Sequence, residues 1–223
     1  MPFQPEVNQE LIIDDVTYRI AEHPAAPGIP YGQEGRQAIV YQLVAGEERR
    51  ALKVFRPRYR LPALVGQADK IAPLAGLPGL QVCQRTVLSA RRYRDLLRQH
   101  PDLTYAVLMP WVGGPTWMEV LLEKRELSPE QSLDLARSLV EILAGMEERG
   151  LAHCDLSGPN VMLPALLPSP AGGRGTGGEG VALVDVEQLY GPGLVRPELL
   201  PGGSPGYAHK TAPQGLWSST ADR

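Results

Sequence analysis

Four polar side chains stand where their surroundings call for apolar ones. Lys53 interrupts the strand-like run Ala51-Leu52-Lys53-Val54-Phe55. Asp155 and Asn160, five positions apart, lie in the stretch Leu151 to Leu163, where Gly158-Pro159 keeps the backbone out of a helix. Asp185 closes the apolar run Val181-Ala182-Leu183-Val184. A lysine, then a carboxylate with a carboxamide, then a second carboxylate, in that order, is the set that phosphoryl transfer from Mg·ATP requires.

The loop His153-Cys154-Asp155-Leu156-Ser157-Gly158-Pro159-Asn160 resembles the H-R-D-L-x-x-x-N element of protein kinases. The form D-L-S-x-x-N is closer to RIO-type and other atypical bacterial serine/threonine kinases. The resemblance implies a role for each group. Asp155 accepts or orients the acceptor hydroxyl, Asn160 and Asp185 give oxygens to Mg²⁺, and Lys53 meets the α/β-phosphates of ATP. His153 organises the loop backbone, and Asp185 matches the Asp of D-F-G. By the same resemblance Val40 covers the adenine, Met109 is the gatekeeper, and Trp111 and Val112 face the adenine edge. Gly203-Ser204-Pro205-Gly206-Tyr207 is similar to the G-T-P-x-Y piece of an activation segment.

The departures are equally specific. Gln33, Gly35 and Ala38 stand in place of the three glycines of the phosphate-covering turn. Cys154 replaces an Arg, Ser157 a Lys, and Asp185-Val186-Glu187 replaces D-F-G. No glutamate lies in 61–76 to pair with Lys53, and Gln67 and Asp69 are the nearest polar candidates. His209-Lys210-Thr211 stands where A-P-E is expected, and Thr220 to Arg223 reads as the first turn of a helix.

These residues need elements to hold them. Leu11-Ile12-Ile13 and Val16 to Ile20 read as short strands around Asp14-Asp15, and His23 to Pro30 as a Pro/Gly-rich turn region. Tyr31 to Leu43 reads as strand, tight turn and returning strand. Ala45-Gly46-Glu47-Glu48 then turns the chain into the Lys53 strand. Residues 61–76 are moderately helical. Val82 to Leu88 and Tyr105 to Met109 read as strands, joined by a polar, partly basic connection, Arg91 to Asp102. Thr116 to Lys124 is a short helix. Ser128-Pro129-Glu130-Gln131 is a capping box with Pro at the first position, opening a helix with Leu135, Leu139, Ile142, Leu143 and Met146 on one face and Gly150 at its end. Pro164 to Gly180, with Gly172 to Gly178, reads as a mobile low-complexity insert.

The expected fold is therefore α+β and two-lobed, kinase-like: an antiparallel β-rich N-lobe over 1–109 with helix 61–76, a hinge over 110–115, and an incomplete helical C-lobe over 116–223. In that C-lobe the catalytic loop is 151–163, the insert 164–180, the metal-binding strand 181–187 and the activation segment 188–211. A net charge of −3 gives no field to draw in nucleic acid, and no apolar run is long enough to span a bilayer. Two distant cysteines, Cys83 and Cys154, suit a reducing cytoplasm.

Simpler readings exist for the same residues: Lys53 as an edge-strand lysine facing water, Asp185 as a turn former, Cys154 as a small buried residue, Arg91 to Arg94 as a solvated face. Order and context favour the chemical reading. The expected activity is transfer of the γ-phosphate of Mg·ATP to Ser or Thr of a protein. A pseudokinase that binds nucleotide without turnover is one alternative, and a small-molecule kinase of the aminoglycoside-phosphotransferase type is another. The acceptor and the oligomeric state stay open.

Overall fold

The computed structural model describes residues 3–166, 180–200, 206–207, 214–215 and 217–222. The chain forms two compact units, one of residues 1–72 and 84–111, the other of 73–83 and 112–223. The architecture is mixed α/β with an antiparallel sheet and a few helices.

In the first unit, β1 (Glu10–Ile13) and β2 (Val16–Ile20) alternate exposed and buried side chains and pair through a turn at Asp14-Asp15, both at positive φ. Aspartate tolerates that conformation better than most residues because its short side chain bonds locally. The region from His23 to Pro30, expected as a turn, is instead a small hairpin of β3 (Glu22–His23) and β4 (Ala26–Pro30). The Glu22 carboxylate accepts the Gly28 N–H across it.

The remaining strands are β5 (Gly32–Glu34), β6 (Ala38–Ala45) and β7 (Glu48–Phe55), then, after helix α1 (Ala63–Ile71), β8 (Thr86–Val87), and, after helix α2 (Arg94–Gln99), β9 (Val107–Pro110). The seven-stranded sheet runs β1-β2-β6-β7-β9-β8, with β5 also on β6. The β1–β2 hairpin joins the sheet because Ile20 and Arg19 pair with Leu43 and Val44.

Register divides the sheet into two faces, since cross-strand partners share a side. Tyr41, Leu43, Leu52, Val54 and Leu108 turn to a core shared with Leu11, Ile13, Ile20, Leu97 and Leu103. Residues 91–102, expected as a solvated connection, thus carry a helix whose Leu97 closes this core. Val82 to Leu88 is not one strand: Gln81–Cys83 is a 3-10 turn and only Thr86–Val87 pairs. Its apolar residues are buried all the same, so apolar density mimicked a strand.

In the second unit, α3 (Trp117–Leu122) and α4 (Pro129–Glu147) both begin with the expected chemistry. Thr116 with Glu119, and Ser128 with Gln131, form reciprocal capping boxes. Leu135, Ile142 and Met146 bury one face of α4. Strands β10 (Val161–Met162) and β11 (Ala182–Leu183) pair antiparallel and carry the loop residues on their ends. Gly114, at φ +97°, lies against Leu163, whose carbonyl oxygen would sit 2.5 Å from an added Cβ. Only glycine fits there. Gly203, Ser204 and Pro205, His209 to Thr211 and the run 172–178 lie outside the described residues.

Tyr93 links α2 to the first hairpin. Its hydroxyl donates to both carboxylate oxygens of Asp14, at 2.8 and 2.9 Å, and Arg92 pairs with the same group. Burial, then Asp14, raises the Tyr93 pKa, so the folded state favours the neutral phenol. That contribution is complete below the unfolded phenol value of about 10 and is lost as pH rises above it. Tyr93→Phe should lower unfolding free energy by about 1–2 kcal/mol at neutral pH. In urea melts at rising pH, the gap between wild type and variant should narrow above about pH 10.

Candidate functional site

Lys53 sits in β7, an inner strand, with only 3% exposure. The edge-strand reading of this lysine therefore does not hold. Its register partners are Val40 on β6 and Val107 on β9, while Ala51 pairs with Gln42 and Met109, and Gln33 with Val40. Residues two apart on β6 and β7 share a side, so Gln33, Ala38, Val40, Gln42, Ala51, Lys53, Val107 and Met109 occupy the sheet face opposite the core. The sequence-predicted Ala38, Val40, Lys53 and Met109 are thereby brought together. Gln42, Ala51 and Val107 belong with them and went unpredicted, although strand alternation from Lys53 pointed to Ala51.

The Lys53 ammonium lies 5.2 Å from the centre of the Phe55 ring, two residues along the same face. A cation at that distance is attracted by the ring's negative face. On α1 the buried side is Leu64, Ala68 and Ile71; Gln67 is half-buried beside it and Asp69 is exposed. Gly35 lies in the turn between β5 and β6, its N–H donating to the Ala38 carbonyl at 2.8 Å. Trp111 donates its backbone N–H to the Arg49 carbonyl at 3.4 Å, so that N–H faces β7. Its ring leans on Tyr31, centroids 5.2 Å apart, and Tyr31 meets His23 edge-on at 5.1 Å. Val112 begins the second unit.

In the second unit the predicted loop is fixed by backbone contacts. His153 is fully buried, and its Nε2 lies 2.7 Å from the Val184 carbonyl oxygen. A carbonyl only accepts, so this nitrogen carries the proton. The Val184 N–H donates to the Asn160 carbonyl at 3.0 Å. The residue before Asp185 is thus gripped on both sides by the loop. Asp185 itself is left-handed, φ 61° and ψ 45°, and starts a 3-10 turn over Val186–Gln188. A non-glycine residue held there is costly and persists only where neighbours over-determine it.

Asn160, 7% exposed, donates its amide to the Asp155 backbone oxygen at 2.8 Å, with Asp155 Oδ2 at 3.4 Å. With its NH₂ turned to Asp155, its Oδ1 points elsewhere. The Asn160 carboxamide oxygen and the Asp185 carboxylate are hard oxygens of the kind Mg²⁺ takes, on segments that meet at the Asn160–Val184 bond. Among the described residues no group of three or more His, Cys, Asp or Glu could hold a metal by itself. Water or a phosphate oxygen would complete the shell of such an ion.

Two residues here escaped sequence reasoning. Asp222 accepts from the backbone N–H groups of His153 and Cys154, the latter at 2.9 Å, and Cys154 has φ 64°. Its partners are main-chain groups, so no complementary side chain announced it. Gln188 reaches Asp155, as described below. Burial first, then the Asp222 carboxylate, pushes the Cys154 thiol up to about 12, which leaves it protonated and unreactive at neutral pH.

No known family's sequence profile matches this chain, and no curated protein matches it in sequence. No described helix is long and apolar enough to cross a membrane.

Asp222→Ala would strip two partly buried amides of their acceptor, costing about 1–3 kcal/mol. Hydrogen exchange should show the His153 and Cys154 amides exchanging faster, and alkylation of Cys154 should begin at lower pH because the carboxylate that disfavours its thiolate is gone.

Proposed function

We propose that this protein transfers the γ-phosphate of Mg·ATP to a Ser or Thr hydroxyl of a protein, in the manner of an atypical serine/threonine kinase with a two-lobed arrangement. The observation that carries the reading is the His153–Val184–Asn160 linkage, which ties the Asp155 loop to the main chain just before Asp185. Such fixed geometry supports phosphoryl transfer, where the protein's work is positioning and charge stabilisation more than covalent chemistry.

Each unit has its share. On the first, Ala38, Val40, Ala51 and Met109 offer an apolar surface suited to a purine, with Lys53 as the point charge for phosphate. On the second, Asn160 and Asp185 would hold Mg²⁺, which when bound supplies charge neutralisation on the phosphates. Asp155 accepts the hydrogen bond of the acceptor hydroxyl and takes its proton as the oxygen attacks phosphorus, while ADP leaves. No metal ligand beyond oxygen and no covalent enzyme intermediate is needed.

One observation favours nucleotide binding without turnover as a second reading. The buried side of α1 carries no carboxylate, and Asp69 is on its exposed side. An ammonium poised by a helix carboxylate is a requirement of active protein kinases.

The test is transfer of label from γ-labelled ATP to a mixed Ser/Thr peptide library in the presence of Mg²⁺. Wild type should label the library, and Asp155→Ala should reduce kcat by about 100-fold or more with little change in the KM for ATP. Labelling that survives Asp155→Ala would remove Asp155 from its role. Binding of ATP with no labelling would establish the second reading.

A further inference from the structure

Gln188 is only 5% exposed, yet it is a carboxamide in an apolar neighbourhood of Val186 and Leu189, both buried. Its Nε2 lies 3.2 Å from Asp155 Oδ2. An ionised carboxylate can only accept, so the NH₂ end must face Asp155 and the amide orientation is settled by chemistry. The other end, Oε1, is buried with no partner among the described residues.

The rest of the residue is anchored. Its backbone carbonyl accepts the indole N–H of Trp217 at 2.8 Å. Two residues on, Tyr190 exchanges both backbone hydrogen bonds with Ala152, at 2.8 and 3.1 Å, and its ring meets Trp217 edge-on at 4.8 Å. Gln188 is therefore fixed at its main-chain carbonyl by Trp217, two residues before the Tyr190–Ala152 bridge, and at its side chain by the carboxylate that the loop presents.

We propose that Gln188 is a positioning residue for phosphoryl transfer, setting the rotation of the Asp155 carboxylate toward the acceptor hydroxyl. This rests on the reading of Asp155 as the acceptor's base. Asn160 Nδ2 and Gln188 Nε2 approach the same oxygen, Oδ2, from different elements, at 3.4 and 3.2 Å. Two donors converging on one oxygen fix the plane of the carboxylate, and with it the direction in which Oδ1 offers its lone pairs. Asn160 alone holds the backbone oxygen closely and the carboxylate only at long range. The second carboxamide adds a separately anchored donor to that oxygen. Misorientation of a reacting group of this kind costs rate far more than binding.

A structural role makes the opposite forecast. A buried carboxamide with an unpartnered oxygen is destabilising, and an apolar residue of the same length removes that cost. Gln188→Met should accordingly melt no lower than wild type if the contact with Asp155 is the reason for the carboxamide. Gln188→Glu keeps the shape, cannot donate when ionised, and sets a like charge against Asp155.

The experiment measures kcat and the KM for ATP of the full chain with γ-labelled ATP and the mixed Ser/Thr peptide library, alongside thermal melts. For Gln188→Met the expected result is a fall in kcat of about 10- to 100-fold, with the KM for ATP within about twofold of wild type and an unchanged or higher melting midpoint. Gln188→Glu should lose at least as much rate. Rates equal to wild type in both variants overturn the role of Gln188 and leave the kinase reading intact. Rate losses that follow a lowered midpoint in both make Gln188 structural. A wild-type chain that labels nothing overturns the kinase reading, and this inference with it.

Discussion

The hydrogen bond from the His153 ring to the Val184 carbonyl is the constraint on which the second unit's charged groups depend. It joins two segments 31 residues apart in sequence, with the His153 ring fully buried, so that losing the carbonyl leaves a buried N–H unsatisfied. The bond runs from a side chain to a main-chain carbonyl, so it fixes the backbone of the Val184 segment against the His153 ring. Asn160 adds its carbonyl on the far side of Val184, and Asp222 secures the two amides that begin the loop. Cys154 and Asp185, both left-handed, are held in that conformation by these neighbours. The carboxylates of Asp155 and Asp185 are thereby set on rigid backbone, which is what the proposed roles of a base and a metal ligand would require.

A different constraint governs the first unit. Lys53 is buried in an inner strand, and the sheet's pleat alone determines its company. A one-residue slip of β7 would send Lys53 into the apolar core and Leu52 to the other face. Leu52, Val54, Tyr41 and Leu43 pin the register by filling that core. The position of the charge is thus enforced by its apolar neighbours in sequence, through the alternation of sides.

How much of this was legible depended on whether the determining contact was local. The starts of α3 and α4 were readable because Thr116–Glu119 and Ser128–Gln131 cap their own helices three residues apart. The β6–β7 hairpin was readable from Gly46-Glu47 and the flanking alternation. The β3–β4 hairpin was not, because Pro27, Gly28 and Pro30 signal a turn, while the Glu22 carboxylate that satisfies Gly28 comes from the opposite strand. The helix within 91–102 was hidden by its arginines, whereas Tyr93 and Leu97, one helical turn apart, are the residues that the core uses. In the candidate site, Asp155, Asn160, Asp185 and Lys53 stood out as polar residues in apolar runs. Asp222 and Gln188 act over 69 and 33 residues of separation, and no spacing rule reaches that far.

The most direct test of the central claim is a thermal-shift titration with Mg·ATP on wild type, Lys53→Met and Asp185→Ala. If the two units carry the phosphate and metal groups assigned to them, saturating ligand near 100 times Kd should stabilise wild type by about 2.7 kcal/mol. The rise should require Mg²⁺ and should be lost in both variants. A rise of equal size without Mg²⁺, or one that both variants retain, would contradict the account. So would a cooperative melt that ATP leaves unmoved.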